Sequence, residues 1–206
     1  MKKNTVVMSA LMLASAVAFV KAQPPHPWLD QMLKRQRYPS PPGNSPTRGS
    51  ADAPVTINEF IDFDCPGSAK DAPEVRKTLE AYPTQVRLVF KNLPLEKIHP
   101  NARHKALVAE CMGLQGKFWQ AHDRFLAGAA PDQVTAGVDQ GKLKACVARG
   151  GEGQVDEDLA LAKRLGLATT PSFVVDGIRN GGMMSFAQFK LLVDAELARK
   201  GGAGTH

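Results

Sequence analysis

Hydrophobic positions change their spacing several times along the chain, and each change predicts an element. From Val55 to Phe63, apolar residues fall on both faces: Val55, Ile57, Ile61 and Phe63 on one side together with Glu59, and Phe60 on the other. That pattern predicts a central strand covered from both sides. Pro66 suits the first turn of a helix, and the residues after it predict one running to about Ala81. Gln85 to Phe90 predicts a second strand. Strand, helix and strand make a βαβ unit, for which a right-handed crossover is the rule.

The period then lengthens. Between Asn101 and Leu126, the residues Leu107, Cys111, Leu114, Phe118 and Phe125 recur every three to four positions, and Gly113 and Gly116 divide the segment into two helices. Leu143 to Arg149 predicts a short helix. Gln154 to Leu165 predicts another, with Val155, Leu159, Ala162 and Leu165 as its apolar stripe and Gly166 as its C-cap. A short apolar strand follows Thr169-Thr170-Pro171 and ends in a turn at Asp176-Gly177; Gly181-Gly182 marks the next turn. Ser185 is placed to cap a terminal helix to Ala198, with Phe186, Phe189, Leu192 and Val193 inward.

The ends differ from this body. Met1-Lys2-Lys3 followed by an apolar run to Val20 and by Lys21-Ala22 has the pattern of a secretory signal peptide cleaved near Ala22. The competing reading is an uncleaved anchor, but the run is short for a stable membrane span. Residues 23–48 are rich in proline and read as a basic arm or linker, within which Trp28, Leu29, Met32 and Leu33 could line one side of a short helix. Residues 201–206 read as a disordered tail.

The net charge of +6 belongs mostly to these ends. Loss of Lys2, Lys3 and Lys21 leaves +3, and Lys34, Arg35, Arg37 and Arg48 against Asp30 account for the remainder. The body from Gly49 on is neutral, which argues against nucleic-acid binding. Export would place the chain in the periplasm or outside the cell, where disulfides persist.

Three cysteines follow the leader: Cys65, Cys111 and Cys146. An odd count leaves at least one without a partner inside the chain. Cys65-Pro66-Gly67-Ser68 sits where the predicted strand meets the predicted helix. A helix N-terminus favours an anion, and so favours the thiolate that attacks disulfides. Ser68, one helical turn on, could donate its hydroxyl to that thiolate but cannot close a disulfide with it. Glu59, on the preceding strand, is a candidate proton relay if half-buried; the alternative is an ion pair with Lys91 on the neighbouring strand. His99, His104 and His122 have no compact metal-ligand spacing, and no metal or cofactor is expected.

Five phrases carry a family resemblance: Asp52-Ala53-Pro54-Val55-Thr56 with Glu59-Phe60; Val86 to Phe90 with Leu93-Pro94-Leu95; His99-Pro100-Asn101-Ala102; Gln115-Gly116-Lys117-Phe118-Trp119 with His122-Asp123; and Thr170-Pro171-Ser172-Phe173. Their order resembles the DsbA-like branch of the thioredoxin superfamily, over about Gly49 to Leu197. The resemblance implies an α/β, thioredoxin-like fold with an inserted helical domain: residues 49–98 and 168–200 would form its two halves and 99–167 the insert. It implies that Thr170-Pro171 is the family's cis-proline loop, packed on the active cysteine, with Thr170, Pro171, Pro66 and Gly67 meeting substrate. It also implies an acid at Glu59. Cys111 and Cys146 are expected to pair as a structural disulfide, the alternative being that one of them reaches Cys65 as a distant resolving thiol. The family's second motif cysteine is Ser68 here. The function expected is therefore single-thiol exchange through Cys65 on protein or small-molecule disulfides, with glutathione or a redox partner protein as resolving thiol. The alternative is a binding protein or chaperone that has kept the scaffold without turnover.

Overall fold

The computed structural model describes residues 26–39 and 45–202. The expected signal peptide and its cleavage site lie outside the described residues. In chain order the elements are α1 (Pro27–Leu33), β1 (Thr47–Gly49), β2 (Val55–Ile61), α2 (Pro66–Ala81), β3 (Val86–Asn92), α3 (Ala102–Gly113), α4 (Phe118–Leu126), α5 (Pro131–Val134), α6 (Gln140–Ala148), α7 (Gln154–Arg164), β4 (Ser172–Val175), β5 (Ile178–Gly181) and α8 (Phe186–Gly202). A 3-10 turn at Gly151–Gly153 leads into α7.

The five strands form one sheet in the order β1-β3-β2-β4-β5. Only β2 and β3 run parallel; the remaining pairs are antiparallel. Every residue of β2 is buried, as both-faced apolar patterning requires of a central strand. One face carries Val55, Ile57, Leu88, Phe173 and Val175 against Val75 of α2 and Phe189 and Leu192 of α8. The opposite face carries Phe60 and Val174 against Leu161, Ala162 and Leu165 of α7. Toward the end of β2 and β3, Ile61, Phe63 and Phe90 meet Val108, Met112, Phe118, Phe125 and Leu143 of the inserted helices. This is the thioredoxin-like α/β architecture with a helical insert. Among the described residues no helix is long and apolar enough to cross a membrane.

Several expectations need correction. Among the described residues of the 23–48 arm, the expected short helix packs on its own domain and a strand follows: α1 buries Met32 completely, Tyr38 N–H donates to Gly177 O at 2.9 Å, and Thr47 of β1 pairs with Val89. Leu33, placed on the apolar side of that helix, is instead 38% exposed. Leu114, assigned to the inward stripe, caps the end of α3 and is 63% exposed, because the helix stops before its side chain turns inward. On α7 the expected Val155 and Ala162 are buried, but Asp158 and Leu161 are buried with them and Leu159 is only half-buried. The tail begins inside a helix: Gly201 and Gly202 close α8, and 203–206 lie outside the described residues. At the other end of α8, Ser185 Oγ accepts the Gln188 N–H (3.3 Å) while Gln188 Oε1 accepts the Ser185 N–H (3.0 Å). Two orphan amides are thereby satisfied.

Cys111 of α3 and Cys146 of α6 are bonded to each other, with Cα atoms 5.7 Å apart and a sequence separation of 35. Closing a loop of that length restricts the unfolded chain. A C111A/C146A variant is expected to lose about 3–4 kcal/mol in urea unfolding. A loss under about 1 kcal/mol would show that the bridge does not stabilise the fold by restricting the unfolded chain.

Candidate active site

Chain direction at the end of β2 sets the site. Cys65 is the N-cap of α2, with extended backbone (φ −77°, ψ 119°), and Pro66 occupies the first helical turn. Cys65 N–H donates to Asp62 O at 3.1 Å and Cys65 O accepts the Ala69 N–H at 3.2 Å. Its thiol is free and half-buried, and Sγ donates to the Thr170 carbonyl at 3.2 Å. The Thr170-Pro171 peptide bond is cis. Gly67 is what permits this approach. A Cβ there would lie 3.2 Å from Pro171 Cδ, 3.3 Å from Thr170 O and 3.5 Å from Cys65 Sγ. Cys65, Pro66, Gly67, Thr170 and Pro171 are therefore brought to one place.

Ser68 takes a different part from the one expected. It is 1% exposed, and its hydroxyl accepts the Asp62 N–H at 3.4 Å. Its hydrogen bond thus fastens the end of β2, not the thiol. Asp62, which sequence reasoning did not single out, organises the turn. Its carboxylate accepts from Asp64 N–H (2.7 Å), Leu95 N–H (2.8 Å) and His99 Nδ1 (2.8 Å), tying the loop after β3 to the cysteine turn. The two acids flanking Phe63, immediately before Cys65, were the available signal: Asp64 is in turn paired with Lys105 of α3 at 2.5 Å.

Glu59 is 2% exposed and sits on β2 between Phe90 of β3 and Phe173 of β4. Its Oε2 has no hydrogen-bond partner. Burial, with the nearby Asp71 charge second, raises its pKa to about 8, while Arg48 pulls the other way. The alternative of a Glu59–Lys91 pair fails on sheet geometry. Lys91 is in register with Phe60, so it lies on the opposite face, where it meets Ser45 Oγ at 2.6 Å and Asp158 at 3.1 Å. Glu59 lines a cavity under α2 whose walls include Arg48, Ala72 and His122 but not Cys65. Asp71, on the buried side of α2, is also raised, to about 7, by burial working against the Met184 N–H it accepts.

The remaining sequence candidates lie elsewhere. Cys111 and Cys146 are inside the helical insert. His104 is exposed, His99 serves Asp62, and His122 is buried on α4 against Asp123. Among the described residues no group of three His, Cys, Asp or Glu side chains could hold a metal ion.

Comparison with known proteins places this geometry. A family model described as Thioredoxin matches residues 42–195. Among solved structures, a thioredoxin-like oxidoreductase from Silicibacter pomeroyi DSS-3 superposes with a TM-score of 0.69 at 28% identity, covering 76% of this chain and 93% of that one. DsbA2 from Pseudomonas aeruginosa gives 0.64 at 26% identity, covering 76% and 96%. The chain is also 33% identical over 180 residues to a Na(+)/H(+) antiporter, NhaA 3, from Salinispora tropica. That match takes up 80% of this chain but only 27% of the antiporter, so the chain spans about a quarter of the length of the curated relatives it matches.

A carboxyl whose folded pKa is raised contributes stability that is complete below its unfolded value and is lost as pH rises through its folded value. For Glu59 that window runs from about 4.5 to about 8. Asp71 and Glu110, both raised to about 7, add to the slope below it. Glu59→Gln removes the Glu59 share, up to about 1.4 kcal/mol per pH unit. Denaturant unfolding should find the variant close to wild type at pH 5 and clearly more stable at pH 9. Parallel loss of stability in the two proteins would show that Glu59 is not held neutral.

Proposed function

This chain belongs to the thioredoxin family, and we propose that within it the protein is a DsbA-like, single-thiol exchange protein acting through Cys65. The observation that supports this best is the free Cys65 thiol at the N-terminus of α2, against the cis Thr170-Pro171 loop, with a serine one turn further on. The proposed setting is outside the cytoplasm, after cleavage of the N-terminal segment near Ala22.

The chemistry follows from one thiol. Cys65 thiolate attacks a sulfur of a substrate disulfide; one S–S bond breaks, the mixed disulfide with Cys65 forms, and the other substrate sulfur leaves as a thiolate. A motif with two cysteines would expel the substrate by internal attack. Ser68 has no such option, so an outside thiol must cleave the mixed disulfide. If that thiol is the substrate's own, the net result is isomerisation. If it is glutathione or a partner protein's thiol, two such thiols are oxidised per substrate disulfide reduced. Protein substrates suit the surroundings. Ile98, 67% exposed, lies in the loop tied to Asp62, and Met183, 49% exposed, follows Gly182, whose N–H donates to Pro171 O.

With a glutathionylated peptide, wild type should form a mixed disulfide at Cys65 that persists until free glutathione is added, and Cys65→Ala should form none. Ser68→Cys should gain an intramotif disulfide and the ability to oxidise dithiols, which wild type lacks. Persistence of the adduct in excess glutathione would sink the exchange reading in favour of a binding protein without turnover.

A further inference from the structure

A cavity of about 300 Å³ lies between β2, α2 and α4, apart from the thiol site. Its walls are largely apolar, from Ala72 and Leu79 of α2, Leu88 of β3 and Leu126 of α4. Two polar side chains that also line it are buried and incompletely bonded: Glu59, with Oε2 unpartnered, and His122, with Nε2 unpartnered. Buried polar atoms without partners are uncommon, because each costs the hydration it has lost. Here both belong to side chains that line the same cavity.

The protonation of these groups defines what could fill it. Burial holds Asp123 back from ionising, but hydrogen bonds from His122 and Arg48 overcome this and keep it ionised, with a pKa of about 2. An ionised carboxylate only accepts, so His122 carries its proton on Nδ1 toward Asp123 at 2.8 Å. Burial also lowers the His122 pKa, which leaves Nε2 as a bare acceptor. Glu59 is neutral at pH 7 and offers an O–H donor and a carbonyl acceptor. The rim adds no unmatched buried charge: Arg48 is held by Asp123 at 2.6 Å and lies 4.2 Å from the Trp119 ring centre, and Arg76 is solvent-exposed. Inside, a protonated carboxyl and a bare imidazole nitrogen offer no charge to pair with an ion, while Arg48 is neutralised by Asp123 and the Arg76 charge lies at the solvent-exposed rim.

We propose that this cavity is a binding site for a small neutral hydroxyl compound, an alcohol or phenol with an apolar body. One hydroxyl can accept from Glu59 and donate to His122 Nε2 while its hydrocarbon part covers the Ala72, Leu79 and Leu88 wall. The size is adequate, since a dry cavity of about half this volume accommodates a benzene-sized molecule. Such a site is separate from the thiol exchange proposed above and would stand or fall without it.

Phenol, toluene and benzoate titrated into the full chain distinguish the possibilities. The readouts are the His122 Nε2 nitrogen shift and the methyl signals of Leu79 and Leu88. Phenol should bind saturably and move Nε2. Toluene, with the same body and no hydroxyl, should bind at least about tenfold more weakly, and benzoate should not bind. Ala72→Leu should fill the space and abolish phenol binding while leaving the Cys65 alkylation rate within about twofold of wild type. Equal affinity for phenol and toluene would overturn the proposal, since the polar floor would then read nothing. No saturable shift with phenol in wild type would overturn it too, leaving a cavity that holds water alone.

Discussion

Because β2 is covered on both faces, the chain can expose chemistry only where that strand ends. The residues after Ile61 leave the sheet in a turn held by Asp62, whose carboxylate gathers Asp64 N–H, Leu95 N–H and His99. Asp62 O receives Cys65 N–H, and Asp62 N–H is received by Ser68. Both halves of the Asp62 backbone and its side chain are thereby engaged in one turn. A loop so fixed gives Cys65 a defined direction, into the Thr170-Pro171 carbonyl and ring. Gly67 removes the one atom that would hold the two loops apart. The position of the thiol is thus a consequence of strand burial followed by a saturated turn.

The two faces of the sheet deal with buried charge in opposite ways. On the α7 face, Lys91, Asp158 and Ser45 form a closed group, and Asn92 joins it by donating from its backbone N–H and its side chain to Asp158. Removing one member of such a group would leave a buried charge alone, the costly case. Asn92 also donates to Glu110 of α3 at 2.6 Å, so the network ties α7, β3 and α3 together. On the α2 face the sheet's cation, Arg48 of β1, is paired with Asp123, and Glu59 takes the other solution, giving up its charge. A one-residue difference in register, Phe90 against Lys91, decides which face has Lys91.

Much of this was legible in the chain. The both-faced pattern of Val55 to Phe63 marks β2 because burial on two sides leaves no polar alternation. Cys65 and Pro66 mark the start of α2 through capping geometry. The resemblance pointed to Thr170-Pro171, since nothing in two residues of sequence reports a cis bond. What escaped has physical reasons. β1 and β5, Thr47–Gly49 and Ile178–Gly181, are short edge strands with little apolar content, held by ladder hydrogen bonds that sequence pattern does not register. Asp158 reads as a solvated helix residue until Lys91 and Asn92 are brought beneath it. The hydroxyl of Ser68 reads as a neighbour of the thiol, and only the fold shows that its oxygen accepts the Asp62 amide.

Among the described residues the one hydrogen bond of Cys65 Sγ is to the Thr170 carbonyl, at the N-terminal end of α2. The carbonyl accepts the thiol's hydrogen bond at 3.2 Å, and Cys65 is itself the N-cap of that helix. In the proposed exchange a substrate strand laid along the 170–171 loop would compete for the space beside that carbonyl. Glu59 is protonated at neutral pH and lines a cavity without Cys65 in its walls, so in the proposed exchange the thiol proton would pass to solvent, which a half-buried cysteine reaches.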